Sequence, residues 1–131
     1  MKNNENFKLC KAIAMELEKI HAGGLFQCPD CGELVQEGEC RCGAAINEET
    51  AEPASLFDYF SDALDIEYRC GNNKEYRNVR IMVTCGGPNI YVDTGSKAVE
   101  LYWWTETAQC SIDPDVCNEI DSIFEEYFNC L

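Results

Sequence analysis

The feature that most restricts this chain is an alternation of apolar and polar residues, broken into short runs by turn-forming residues, through its second half. Leu64, Ile66, Tyr68 and Cys70 fall on one phase, and Asp65, Glu67 and Arg69 on the other. Val79, Ile81, Val83 and Cys85 then alternate with Arg80, Met82 and Thr84. Successive side chains of a strand point to opposite faces, so a period of two marks strands with one buried and one wet face. A third strand follows from Ile90 to Thr94 with Ile90 and Val92 inward, and a fourth from Val99 to Glu106 with Val99, Leu101 and Trp103 inward. A shorter fifth is expected from Ala108 to Ile112. The connections, GNNKE, GGPN and TGSK, are too short for anything but reversals, which gives an antiparallel meander of four or five strands.

Helical periodicity brackets this sheet. Phe7, Cys10, Ile13, Ala14, Leu17 and Ile20 recur every three or four residues and predict an amphipathic helix over residues 3 to 21, stopped by Gly23 and Gly24. Ser55 and Asp58 read as the cap of a short helix with Leu56, Phe57 and Phe60 on its buried side. A terminal helix starts at Asp113 and Pro114, with an apolar stripe of Val116, Ile120, Ile123, Phe124, Tyr127 and Phe128. Its other face carries Asp115, Glu119, Ser122, Glu125 and Glu126. The short helix before the strands and the terminal helix after them need apolar cover, and the inward face of the sheet supplies it, so an α+β domain with both flanking helices on one face, preceded by the N-terminal helix and the cysteine-rich segment, is expected. The outer face would then show Tyr91, Tyr102, Trp104, Met82, Arg69 and Arg80 among Asp65, Glu67, Asp93, Glu100 and Glu106. Aromatic residues and arginine on an uncovered face are the makings of an interface centre.

Between the first helix and the sheet lie four cysteines, Cys28, Cys31, Cys40 and Cys42, spaced C-x2-C-x8-C-x-C, with a glycine after each pair at Gly32 and Gly43. A glycine there lets the backbone turn so that amide N–H groups approach the sulfurs, and two such turns can bring four thiolates into a closed tetrahedron. Residues 26 to 44 resemble a short zinc ribbon with rubredoxin-like knuckles, which implies one structural Zn(2+) held by these four residues. The second knuckle departs from the pattern, having one residue between its cysteines where two are usual. The competing reading of CPDC is a redox dithiol, but that needs a helix opening after it, and GELVQEGE supplies none. His21 stands just before the ribbon, either as a replacement ligand or as a solvated residue at the helix end. Of the other cysteines, Cys10, Cys70 and Cys85 fall on apolar phases, and Cys110, Cys117 and Cys130 read as core or boundary thiols. The expected organisation is a helix at 1–24, the ribbon at 25–44, an acidic linker at 45–54 and the α+β domain at 55–131.

The chain carries 24 acidic and 10 basic residues, a formal charge of −14. Such a surface is repelled by phosphate backbones, so direct binding of nucleic acid is disfavoured and a basic protein surface is the expected partner. No apolar run is long enough for a membrane span, and the polar start lacks the form of a signal peptide, which places the chain in the cytoplasm. In that reducing setting ten cysteines read as ligands and buried thiols rather than disulfides. There is no P-loop, dinucleotide fingerprint or nucleophile elbow, and GGPN joins two strands rather than opening a helix, so an enzyme is not expected. Residues 56 to 130, through VRIMVTCGGPNIYVDTGSKAVELYWW and the acidic helix, resemble small bacterial proteins of phages and conjugative elements. By implication the chain would be a stoichiometric inhibitor of the anti-CRISPR or antirestriction kind, its acidic helix imitating a phosphate array. The partner-binding candidates are Tyr91, Tyr102, Trp104, Glu119, Glu125 and Glu126. A zinc-ribbon adaptor or assembly factor, read at its tip from Leu34 to Glu39, is the alternative, and a thiol redox protein the third.

Overall fold

The structure, a computed structural model, describes residues 2–131. Helix α1 (Lys2–His21) ends where the sequence predicts. Gly23 takes φ +79°, and the amides of Gly24 and Gly23 donate back to the carbonyls of Lys19 and Ile20, which closes the last turn.

A small ribbon follows. Strand β1 (Phe26–Gln27) pairs with β2 (Leu34–Val35), and β3 (Gly38–Glu39) forms a hairpin with β4 (Ala45–Ile46). Strand β5 (Glu52–Pro53) returns to the free side of β1. The segment at 45–54, expected as an acidic linker, is therefore part of the ribbon. Ile46 and Ala51 are buried with Phe26, Cys28 and Cys40. Its polar residues close a turn: Asn47 Oδ1 accepts from the amides of Glu49 and Thr50, and Thr50 Oγ1 donates to the Ala45 carbonyl at 2.7 Å. Composition resembled a linker because Asn and Thr serve backbone turns as readily as solvent.

The larger body is α+β. Helix α2 (Leu56–Tyr59), capped by Ser55 Oγ accepting from the Asp58 amide, runs into a 3-10 turn at Phe60–Asp62. Strands β6 (Asp65–Cys70), β7 (Tyr76–Thr84), β8 (Asn89–Asp93), β9 (Ala98–Trp103) and β10 (Glu106–Ser111) then form one antiparallel sheet in sequential order. Its register lines up Ile66, Ile81, Val92, Val99 and Cys110 as a row across the inner face. Helix α3 (Pro114–Asn129) starts at Asp113, whose carboxylate accepts from the Asp115 amide at 2.8 Å. The inner face is covered by α1 over β9 and β10 and by α3 over β7, with Cys10, Ala14, Leu17, Ile20, Val116, Ile120 and Phe124 entering one core. Helix α1 and the sheet thus belong to one body, into which the ribbon is inserted. Tyr76 Oη and Thr94 Oγ1 both donate to Asp121 Oδ1, at 2.6 and 2.7 Å, and pin α3 to the sheet.

Several residues expected inside are exposed. Phe7, Phe57 and Tyr127 lie at the margins of their helical stripes, where the stripe is wider than the surface it covers. Cys70 keeps its phase but ends the edge strand β6, beside a hollow lined by Phe128 and the C-terminus of the chain, and Cys85 lies beyond the end of β7, so both are exposed. Glu106 stands opposite Trp103 and so shares the inner phase rather than the outer one. Among the described residues no helix is long and apolar enough to cross a membrane.

Candidate metal centre and outer sheet face

Cys28 and Cys31 sit on the turn after β1, and Cys40 and Cys42 on the turn after β3. Their four sulfurs all lie within 4.8 Å of one another, with Cys28 to Cys42 and Cys31 to Cys40 each 3.5 Å apart. A tetrahedral thiolate site with metal–sulfur bonds of about 2.3 Å spaces its sulfurs about 3.8 Å apart, so this donor set can hold a metal ion. Both knuckles close the same way despite their unequal lengths. The Gly32 amide donates to the Cys28 carbonyl across four residues, and the Gly43 amide to the Cys40 carbonyl across three. Positive φ at Gly32 (+78°) and Gly43 (+95°) makes this possible, so the missing residue of the second knuckle shortens its turn without dispersing the sulfurs.

The backbone also tunes the thiols. The Cys31 amide, bonding Cys28 Sγ, outweighs burial and brings that thiol down to about 7. The Glu33 amide pulls Cys31 down, but the crowding of Cys40, Cys28 and Cys42 sulfurs prevails and pushes it up to about 12. Cys42 is likewise raised: the Ala44 amide lowers it, and the sulfurs of Cys28 and Cys40 more than reverse that. Four sulfurs this close share protons unwillingly, and a cation relieves the conflict. Cys28 and Cys40 are buried, while Cys31 and Cys42 face solvent. His21 is not in the cluster; its Nδ1 meets Glu119 Oε1 on α3. Elsewhere, burial pushes Cys10 and Cys117 up to about 11, which keeps them protonated core thiols.

The outer sheet face is more ordered than an open surface. Arg69 grips Asp93 with both terminal nitrogens, at 2.9 and 2.7 Å, and also donates to Asn78 Oδ1. Asp93 further accepts from the amides of Gly95 and Ser96, and a Cβ at Gly95 would fall 2.7 Å from Arg69 Nη1 and 2.9 Å from Asn78 Oδ1, so a larger residue there would displace the clasp. Burial pushes the Asp93 carboxyl up, but the Arg69 bond and the two amides together hold it below the ordinary carboxylate value. Arg80 lies 3.8 Å over the Tyr91 ring and 3.5 Å from Glu100, with Tyr102 edge-on to Tyr91. Alternation alone puts these residues on one face, whereas the Arg69–Asp93 clasp depends on strand register. Its only sequence signal was opposite charge on a shared phase.

The partner-binding candidates are therefore divided. Tyr91 and Tyr102 belong to the clasped outer face, whereas Trp104 sits in the two-residue β9–β10 turn with φ +57° and 86% exposure. Glu125 and Glu126 are exposed on α3, and Glu119 is engaged by His21. No protein-family model matches the chain, and no curated protein or solved structure is significantly similar to it. The resemblance to proteins of phages and conjugative elements finds no support there.

Proposed function

We propose that this protein is a zinc-clasped binding protein that acts by stoichiometric capture of a basic protein surface, as an inhibitor or regulator of a nucleic-acid-handling complex such as a defence nuclease. The observation that carries this reading is the pairing of a four-sulfur site, which leaves no coordination position for a substrate, with an acidic exposed helix face. Cys28, Cys31, Cys40 and Cys42 would hold one Zn(2+), whose contribution is folding energy and a rigid turn. Asp115, Glu125 and Glu126, within a chain of net charge −14, favour a basic groove of the kind that normally receives phosphates.

Cleavage by purified nucleases of several classes, titrated with this protein, tests the reading. Inhibition saturating at one chain per nuclease is expected, weakened at least about tenfold by Glu125→Lys with Glu126→Lys. No inhibition and no co-purification with any nuclease would refute it. One observation favours the adaptor alternative, the exposure of Leu34, Gln36 and Glu37 at the ribbon tip. Loss of partner binding in Leu34→Ser with zinc retained would favour the adaptor.

A further inference from the structure

Strand β6 forms an open edge of the sheet. It pairs with β7 on one side and with no strand on the other among the described residues, so one row of its backbone N–H and C=O groups lacks a ladder partner. Beside it runs an apolar trough walled by α2 and the end of α3. One hollow of ≈ 230 Å³ is lined by Phe57, Ile66, Tyr68 and Tyr127, and another of ≈ 450 Å³ by Cys70, Phe128 and Leu131. Phe57 is 53% exposed, Leu64 59%, Tyr127 46% and Ile66 37%, a concentration of apolar surface that a folded monomer normally covers.

We infer that this edge receives an extended segment of a partner chain whose residues alternate between apolar and basic, adding a sixth strand to the sheet. Residues two apart on a strand are about 6.6–6.8 Å apart on one face, so alternate apolar side chains can enter the trough while those between lie on the outer phase. On that outer phase β6 offers Asp65 and Glu67 with exposed side chains, while its one cation, Arg69, is clasped by Asp93 and reaches Glu67 only at 3.9 Å. Lys74, in the β6–β7 turn, lines the far hollow, so the negative charge is confined to the Asp65–Glu67 end of the edge, where a lysine or arginine at the intervening positions complements it. A second copy brings the same Asp65 and Glu67 and the same charge of −14, so charge selects against self-pairing. The inference deepens the reading of a basic partner, on which it rests for its biological setting, and assigns a different surface from the α3 acids.

The test uses the full-length zinc-loaded chain and two synthetic peptides of equal composition. One alternates, Lys-Val-Arg-Phe-Lys-Val-Arg; the other places its apolar residues in one block. Fluorescence anisotropy should show the alternating peptide binding at least about tenfold tighter, with hydrogen exchange slowed at residues 65 to 70. Tyr127→Ser and Glu67→Lys should each weaken it about five- to tenfold, with zinc content unchanged and the sheet still folded cooperatively. Equal binding of both peptides, no binding, protection elsewhere, or dimerisation in sedimentation with β6 protected would overturn the inference. Capture of a nuclease that survives both substitutions, yet fails on reversal of Glu125 and Glu126, overturns the edge assignment alone and leaves the proposed function standing. Peptide protection of β6 without capture of any nuclease does the reverse.

Discussion

The sheet-and-helix body and the ribbon solve the same problem with unequal means. In the body, rows such as Ile81, Val92 and Val99 meet Leu17, Ile120 and Phe124 in a continuous core with little exposure. In the ribbon the buried set is Phe26, Ile46, Ala51 and two of the four clustered cysteines. Burying a large apolar side chain contributes about 1.5–3 kcal/mol, and fixing one residue's backbone costs about 1–2 kcal/mol. Two large side chains cannot order five two-residue strands, so the ribbon would depend on a metal held by its four cysteines in a way that the body does not. The difference teaches where each region is vulnerable.

Loss of a metal held by the four cysteines should separate the regions most sharply. Cys40→Ser, or a strong chelator, should take the mass in native spectrometry from one zinc per chain to none and expose the amides of 26 to 53 to exchange, with the sheet amides still protected. The lost binding energy is of order 10 kcal/mol. Simultaneous collapse of the sheet would show that the two regions fold as one.

Leu101→Ala strikes the other region. Leu101 is fully buried between Ile90 and Ala108, so denaturant unfolding should show a loss of about 2–5 kcal/mol, with zinc stoichiometry unchanged.

Asp93→Asn should cost the body about 2–4 kcal/mol, because it leaves Arg69 without its carboxylate. The folded carboxyl lies below its unfolded value, so its contribution is complete above the ordinary carboxylate range and is lost as pH falls through the depressed value. Sheet stability, followed at Trp103 from about pH 7 to pH 3, should therefore decline more steeply in the parent than in Asp93→Asn. Parallel curves would remove Asp93 from the account.

Smaller still is Gly43→Ala, where φ +95° rather than crowding is the obstacle. About 1 kcal/mol should be lost, read as weaker retention of zinc against a chelator. Trp104→Gly should act in the opposite direction, gaining a few tenths to about 1 kcal/mol because glycine accepts the φ of that turn. A thermal midpoint that falls instead would mean that the Trp103–Trp104 contact outweighs the backbone strain.

Much of this was legible in the chain. The period of two fixed the phase of Val79, Ile81, Val92 and Leu101, and the cysteine spacing with Gly32 and Gly43 picked out all four clustered sulfurs. Legibility failed where cover ran out: at Cys70 on the open edge of the sheet, at Cys85 past a strand end, and at Phe57 and Tyr127 where a helix overhangs its support. It failed again at 45–54, because polar turn residues and linker residues are the same amino acids.

The sequence by itself determined the inward phase of the central strands, how the strands succeed one another and which thiols cluster, because side-chain alternation and tight turns are local properties of the backbone. Only the tertiary structure decided that α1 joins the sheet rather than the ribbon, that Arg69 is consumed by Asp93, that Glu119 is held by His21, and that β6 is left as an open edge beside an aromatic trough. Those outcomes depend on strand register and on which surfaces remain after packing, and neither is a property of any short stretch of chain.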